Sequence, residues 1–198
     1  MIFHADVEIF GHQRFKPARL FRMARSKAYL FSGVEIRWKT AIDDGETPKE
    51  ATFHFPGGLA DYLMEQLSGT ATYADRPFAG KVGFQEKFGV PGSVEWAINW
   101  SPARDGAIQS YCNTVPTPEG GTHEQGFWAA VLKGIRAYGE LVGNRKAQQI
   151  QREDLQSGGV ALVSCFIRDP EFVGQTKDRL ATVEAARLVE VGVRDHFD

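Results

Sequence analysis

The sequence predicts an α/β protein in which helices cover a sheet. Residues 159–167 form an almost uninterrupted apolar run, as in a strand that is buried on both faces. Residues 122–143 instead repeat apolar side chains every three or four positions, which is the pattern of a helix packed along one face. A strand buried on both faces needs a covering layer on each side, so we expect helices against the sheet.

The first 56 residues predict a strand, a helix and a hairpin. We expect the strand over residues 2–10, and Lys16-Pro17 then opens a helix, because proline is favoured in a first helical turn. Asp43-Asp44-Gly45 is a turn sequence in the middle of residues 34–55, which therefore form the hairpin. These elements are too few to bury a core, so we expect them to end a larger domain.

A domain boundary is expected at Pro56-Gly57-Gly58, where three turn-forming residues interrupt the pattern. Thr122 and Gln125, at the start of the long helix, match a capping box in which each side chain meets an unpaired backbone N–H. The other elements predicted beyond the boundary are a helix at 59–67, strands at 78–84, 94–100 and 107–113, and a last helix from residue 182.

Charge and cysteine content limit the possible partners and compartments. With 23 basic and 25 acidic residues the formal net charge is -2, so any DNA contact must be a local patch. Arg19, Arg22 and Arg25 share a helical face, for which a solvated surface is favoured and DNA contact is the alternative. Cys112 and Cys165 match no zinc spacing and favour reduced thiols in the cytoplasm. No apolar run reaches membrane length, so no membrane partner is expected.

Two patterns near the long helix fail as metal or phosphate motifs. Residues 121–126 have the glycine spacing of a P-loop, but Phe127-Trp128 stands where Lys and Ser or Thr are needed. His123-Glu124 begins a zincin-like pattern, yet Phe127 replaces the second histidine. We therefore predict no metal site in this chain and interpret His123 as a hydrogen-bonding residue that fixes the start of the helix.

Residues 169–180, called the lysine loop below, are the most informative segment. Asp169-Pro170 ends the buried strand, since proline donates no ladder hydrogen bond. Gly174 permits backbone conformations closed to other residues, so Gln175 and Lys177 can project from the loop toward a ligand. Lys177 is a compact charge suited to a terminal phosphate. On these residues alone, a solvated lysine is the more common interpretation.

A second motif shifts the balance from a solvated Lys177 toward a phosphate-binding one. A strand ending in a turn with Asn113 leads to Glu119-Gly120-Gly121-Thr122-His123, which opens the long helix. About fifty residues later comes Asp169-Pro170-Glu171-Phe172-Val173-Gly174-Gln175-Thr176-Lys177. In this order the two motifs resemble the transducer domain of the B subunits of bacterial type IIA topoisomerases. Residues 8–11, 14–23 and 33–37 look more like topoisomerase IV than gyrase, and the resemblance covers essentially the whole chain.

The resemblance implies a particular architecture. Residues 1–56 would be the C-terminal elements of a GHKL ATPase domain, whose nucleotide-binding first part would precede residue 1. Residues 57–198 would be the transducer domain, with a mixed sheet, covering helices and a left-handed βαβ crossover. That crossover departs from the usual right-handed rule, and pattern alone would not predict it.

The resemblance also implies a site. Lys177 would be the catalytic residue, reaching the γ-phosphate of ATP held by the other domain, and Gln175 would hydrogen-bond the same phosphate. Gly174, Thr176 and His123 would support the loop. ATP and Mg²⁺ would be the cofactors of the full-length protein, and most residues that bind them would lie outside this chain.

The implied function is to couple ATP binding and hydrolysis to DNA strand passage, decatenation and relaxation. The implied partners are duplex DNA, the A subunit of topoisomerase IV and a second copy of the B subunit. Two alternatives stay open: the transducer of a gyrase B subunit, whose output is negative supercoiling, and a binding or dimerisation module without catalysis when isolated. The two motifs disfavour more distant GHKL relatives in mismatch repair or chaperones.

Overall fold

The structure is a computed structural model that describes residues 4–11 and 15–197. Its helices are α1 Val7–Phe10, α2 Pro17–Leu30, α3 Leu59–Gln66, α4 Phe84–Phe88, α5 Thr122–Leu141, α6 Arg152–Gln156 and α7 Val183–Arg194, with a 3-10 helix at Arg145–Gln149. Its strands are β1 Glu35–Lys39, β2 Glu50–His54, β3 Phe78–Gly83, β4 Gly92–Trp100, β5 Ala107–Cys112, β6 Val115–Pro116, β7 Gly159–Ile167, β8 Phe172–Val173 and β9 Arg179–Leu180.

A five-stranded sheet in the order β3-β4-β7-β5-β6 is the centre of the fold. Strands β4 and β7 pair antiparallel from Gly92 opposite Ile167 to Trp100 opposite Gly159. Strands β5 and β7 run parallel, while β3 and β6 join by antiparallel pairing. The sheet is therefore mixed, and the predicted mixed α/β fold class is confirmed.

Helices α5 and α7 cover one face of the sheet. Alternate strand residues such as Trp96 and Val163 point into this layer and are fully buried with Phe127 of α5 and Val189 of α7. The two helices meet at their backbones, since a Cβ added at Gly126 would lie 2.1 Å from the Ala186 carbonyl oxygen. The helices therefore form one closely packed unit with the sheet.

The other face of the sheet packs against α2 and α3, and the β1–β2 hairpin joins the same core through its contacts with α2. Tyr29 of α2 stacks on Tyr62 of α3 with ring centroids 3.9 Å apart, and its hydroxyl lies 2.6 Å from that of Tyr111 on β5. Residues on both sides of the expected boundary at 56/57 thus share one core. Strand β7 is buried from both sides, as its apolar run predicted.

Some local predictions were wrong. Residues 7–10 form helix α1 rather than the end of a strand, and residues 2 and 3 of that prediction lie outside the described part. Asp6 explains the helix, because its carboxylate accepts the Glu8 N–H at 2.9 Å and so caps the first turn. Helix α4 was not predicted.

The two cysteines are closer than their sequence separation suggested. Cys112 and Cys165 face each other across the parallel strands β5 and β7, and both are free thiols with no solvent exposure. The hydrogen bond with the neighbouring Cys112 thiol, together with burial, raises the pKa of Cys165. Within the described ranges, no helix combines the length and apolar character needed to cross a membrane.

Candidate functional site

The lysine loop leaves β7 and returns to α7 through a small hairpin that was not predicted. Strands β8 and β9 pair antiparallel, with Phe172 opposite Leu180 and Val173 opposite Arg179. This pairing makes a narrow base and leaves residues 174–178 as the tip. Gly174, Gln175, Thr176 and Lys177 are all exposed at that tip. The structure thus presents the predicted phosphate-binding side chains to solvent on a short stem.

The backbone of the tip is unusual. Gly174 has a φ of 73°, and Lys177 has a φ of 60°, a left-handed conformation that is uncommon for a residue with a side chain. The Lys177 Nζ lies 5.7 Å from the centroid of the Phe172 ring, within cation–π range. Among the described residues, no carboxylate forms an ion pair with Lys177. Its ammonium is therefore held only weakly and can reach an anionic ligand.

The base of the loop is bonded to the segment that precedes α5. The Glu119 N–H donates to the Asp178 carbonyl oxygen at 2.9 Å, and the Leu180 N–H donates to the Gly120 carbonyl oxygen at 3.0 Å. Gly121 continues this contact as a parallel bridge to Leu180. A Cβ at Gly121 would lie 2.4 Å from the Leu180 carbonyl oxygen, so only glycine fits. The two motifs that carried the resemblance are thus joined in space.

The capping box predicted at the start of α5 was wrong. Gly121 is the N-cap residue, and it has no side chain that could accept a hydrogen bond from the first turn. Thr122 already lies inside the helix, and its hydroxyl donates to the Thr182 carbonyl oxygen at 2.7 Å. The close approach of Leu180 to Gly121 moves the start of the helix by one residue and turns this hydroxyl toward α7.

His123 lies in the core beneath the loop rather than at its tip. Its Nε2 is 3.1 Å from the Thr117 hydroxyl, which in turn lies 2.6 Å from the Ser110 hydroxyl. Burial lowers the pKa of His123 to about 4, so the imidazole is neutral at neutral pH. No hydrogen bond joins it to Gln175 or Lys177 within the described ranges, so any support that it gives the loop is indirect.

The basic face of α2 lines a cleft of about 770 Å³ between α2 and the edge formed by β5 and β6. Arg25 pairs with Glu65 at 2.5 Å and lies over the Tyr62 ring. Lys27 donates to the Thr114 hydroxyl at 2.6 Å, and burial lowers the Lys27 pKa. Arg25, one of the three arginines on this face of α2, is therefore engaged in packing rather than simply solvated.

Sequence reasoning missed two partners of the lysine loop. Phe172 was visible as part of the motif, but its ring contact with Lys177 depends on the β8–β9 hairpin. Thr182 was noted only as the start of α7, and nothing in its local sequence showed the contacts that it makes across the loop. Among the described residues, no group of three or more His, Cys, Asp or Glu side chains is placed to hold a metal ion.

Comparison with known proteins defines the class of protein. The family model of DNA gyrase B matches residues 58–198, and the chain belongs to that family. Among curated relatives, the B subunit of DNA topoisomerase 4 from Caulobacter vibrioides is 54% identical over 99% of this chain and 29% of its own length. The protein of the same name from Bartonella bacilliformis is 49% identical over 99% of this chain and 28% of its own length.

Solved structures agree with the fold. The 43K ATPase domain of Thermus thermophilus gyrase B, in complex with an aminocoumarin, matches 96% of this chain and 49% of that chain, with a TM-score of 0.79 and 29% identity. The ATP binding domain of Francisella tularensis topoisomerase IV, in complex with a small molecule inhibitor, matches 95% of this chain and 48% of that chain, with a TM-score of 0.72 and 25% identity.

These comparisons confirm the predicted resemblance to type IIA topoisomerase B subunits. The curated relatives named above carry the topoisomerase 4 name, so the gyrase alternative is not favoured. This chain spans about three tenths of the length of those relatives. The boundary at 56/57 and the left-handed crossover stay predictions.

Proposed function

We propose that this chain is the coupling part of a topoisomerase IV B subunit, linking ATP binding and hydrolysis to DNA strand passage, decatenation and relaxation. One observation carries the proposal: the lysine loop presents an exposed cation at its tip while its base is bonded to the start of α5. A ligand at the tip can therefore act on a helix that packs against the sheet.

The chemistry proposed for the tip is phosphate recognition. The Lys177 ammonium is a compact charge that would neutralise the negative charge developing on the γ-phosphate of ATP during transfer. Gln175 would donate its amide N–H to the same phosphate, while Gly174 and Thr176 shape the turn. Mg²⁺ would assist in the full-length protein, but the described residues offer no group of ligands that fits it.

Coupling between ATP and the transducer domain follows from contacts that form in only one nucleotide state. Lys177 and Gln175 would meet the phosphate only when ATP is bound, so those contacts favour the arrangement of domains in which they form. Because the loop base is bonded to residues 119–121, such a bias reaches α5 and the sheet. Nucleotide state would in this way set the geometry of the transducer domain.

The proposed partners, cellular location and domain assignment are those of the family. The partners would be duplex DNA, the A subunit of topoisomerase IV and a second copy of the B subunit, in the cytoplasm. Residues 1–56 would belong to the ATPase domain and residues 57–198 to the transducer domain, and the core that they share supports direct packing between these two parts. Isolated from the rest of the protein, the chain would be a non-catalytic module, which a titration with ATP would reveal as weak or absent binding.

The output of the reconstituted enzyme tests the proposal. The complete protein carrying this chain, combined with its partner that cuts DNA, is expected to separate interlinked DNA circles and to relax supercoiled circles only when ATP is present. Omission of ATP and a Lys177→Ala variant are the controls. Net negative supercoiling of relaxed circles would instead assign the chain to gyrase, and ATP-independent decatenation would remove the coupling role.

A further inference from the structure

Both long helices beside the lysine loop begin with a threonine that does not cap its own helix. Thr182 is the N-cap residue of α7, yet its side chain accepts no hydrogen bond from the first turn of α7. Thr122, the first residue of α5, is likewise turned away from its own helix. A threonine at a helix start normally stabilises that helix by accepting such a bond. The two hydroxyls bond to other residues instead, and those residues lie together at the base of the lysine loop.

The Thr182 hydroxyl bonds to the incoming limb of the lysine loop, which is the part before the tip at residues 174–178. The outgoing limb is the part after the tip. The Thr182 hydroxyl accepts the Glu171 N–H at 2.8 Å, and the Glu171 carbonyl oxygen accepts the Ala181 N–H, also at 2.8 Å. Glu171 is thus tied to the outgoing limb at both of its backbone polar groups. The Thr182 carbonyl oxygen then accepts the Thr122 hydroxyl at 2.7 Å. One residue therefore joins the two limbs of the loop to each other and to α5.

We propose that Thr182, with Thr122, is a positioning residue for Lys177: the two threonines hold the base of the lysine loop so that its tip meets the γ-phosphate and transmits that contact to α5. This inference rests on the proposed function of Lys177. The hydroxyls act through the loop and do not touch the nucleotide. Losing the Thr182 hydroxyl removes the bond to the Glu171 N–H and so loosens the incoming limb, which keeps the Ala181–Glu171 backbone bond and the β8–β9 pairing. The backbone bonds of residues 119–121 still hold the outgoing limb.

The test is a double-mutant cycle in the complete, reconstituted topoisomerase, measured as ATPase activity with DNA present. Thr182→Val removes the hydroxyl at nearly unchanged volume and is expected to lower kcat about 2- to 12-fold, the range of one neutral hydrogen bond, with a smaller change in KM. Thr182→Ser keeps the hydroxyl and is expected to restore most of the activity. Thr47→Val, which removes a hydroxyl bonded to Asp44 in the exposed β1–β2 turn, is the matched control and should leave kcat unchanged.

The cycle separates this inference from the function on which it rests. If Thr182 acts through the loop, Thr182→Val should have no further effect on kcat in a Lys177→Ala background, because coupled residues are not additive. Equal fold-losses in both backgrounds would show a general structural role and overturn the positioning inference. A normal kcat for Lys177→Ala itself would overturn the proposed function instead. Thermal unfolding of each variant identifies a loss that comes from misfolding, and such a loss without rescue by Thr182→Ser also counts against positioning.

Discussion

At the scale of single residues, the site contains an exposed charged side chain, Lys177, and a buried neutral one, His123. Lys177 stands at the tip of a hairpin, where its ammonium is free to exchange the Phe172 ring for a stronger anionic partner. His123 is buried and bonded to Thr117, and its Nδ1 has no hydrogen-bond partner among the described residues. The sequence suggested a hydrogen-bonding role for His123, and its bond to Thr117 agrees with that interpretation.

The burial of His123 predicts a pH dependence of stability. Its pKa falls from 6.5 to about 4 on folding, so the unfolded chain binds more protons and stability declines as pH drops from about 6.5 toward 4. At pH 5 the expected loss from this group is about 2 kcal/mol relative to pH 7. His123→Gln keeps an amide near the Nε2 position without a titrating group. Denaturant unfolding at both pH values should show a smaller loss for His123→Gln, and equal losses would contradict the assignment.

At the scale of elements, the clear periodic patterns were predictable and the contacts between distant segments were not. The apolar run of β7, the amphipathic α5 and the turn of the β1–β2 hairpin each carry a local signal, and each was found within a few residues of its expected place. Tyr138 near the end of α5 and Val142 directly after it are exposed, although both belong to the apolar repeat of residues 122–143 that predicted a packed face. The failed capping box has a tertiary cause: Leu180 reaches the backbone of Gly121, and no local rule contains that contact.

The contact between Gly121 and Leu180 predicts a large effect of a small substitution. Gly121→Ala places a methyl group on a φ of 142° and within 2.4 Å of a backbone oxygen, so the loop base or α5 must shift. We expect a loss of at least about 2 kcal/mol in unfolding free energy. Gly83→Ala is the matched control, because its Cβ would meet nothing within 4 Å and its φ is -80°. Equal stabilities of the two variants in denaturant unfolding would disprove the tight contact.

At the scale of the whole molecule, the sheet lies between two different layers. One layer, α5 and α7, holds the base of the lysine loop, and the other, α2, α3 and the hairpin, joins residues 1–56 to the rest. Lys27 of α2 reaches Thr114, and the Glu95 carboxylate of β4 accepts the Leu59 N–H at 2.9 Å at the start of α3. These polar contacts fix the second layer to the sheet. The sequence predicted covering helices, but which helix covers which face depends on long-range pairing that no local pattern contains.

The central claim is that Lys177 contacts the γ-phosphate, and Lys177→Ala in the complete, reconstituted topoisomerase tests it most directly. The contact should be stronger in the transition state than in the ground state, so kcat for ATP hydrolysis should fall about 100- to 1000-fold, with a much smaller change in the Kd of a non-hydrolysable ATP analogue. Lys177→Arg should restore activity only in part, since a planar guanidinium does not replace a compact ammonium. Gln175→Ala, which removes a neutral donor, should be milder. ATP hydrolysis and strand passage near normal in Lys177→Ala would show that the loop is structural and that the proposed coupling role is wrong.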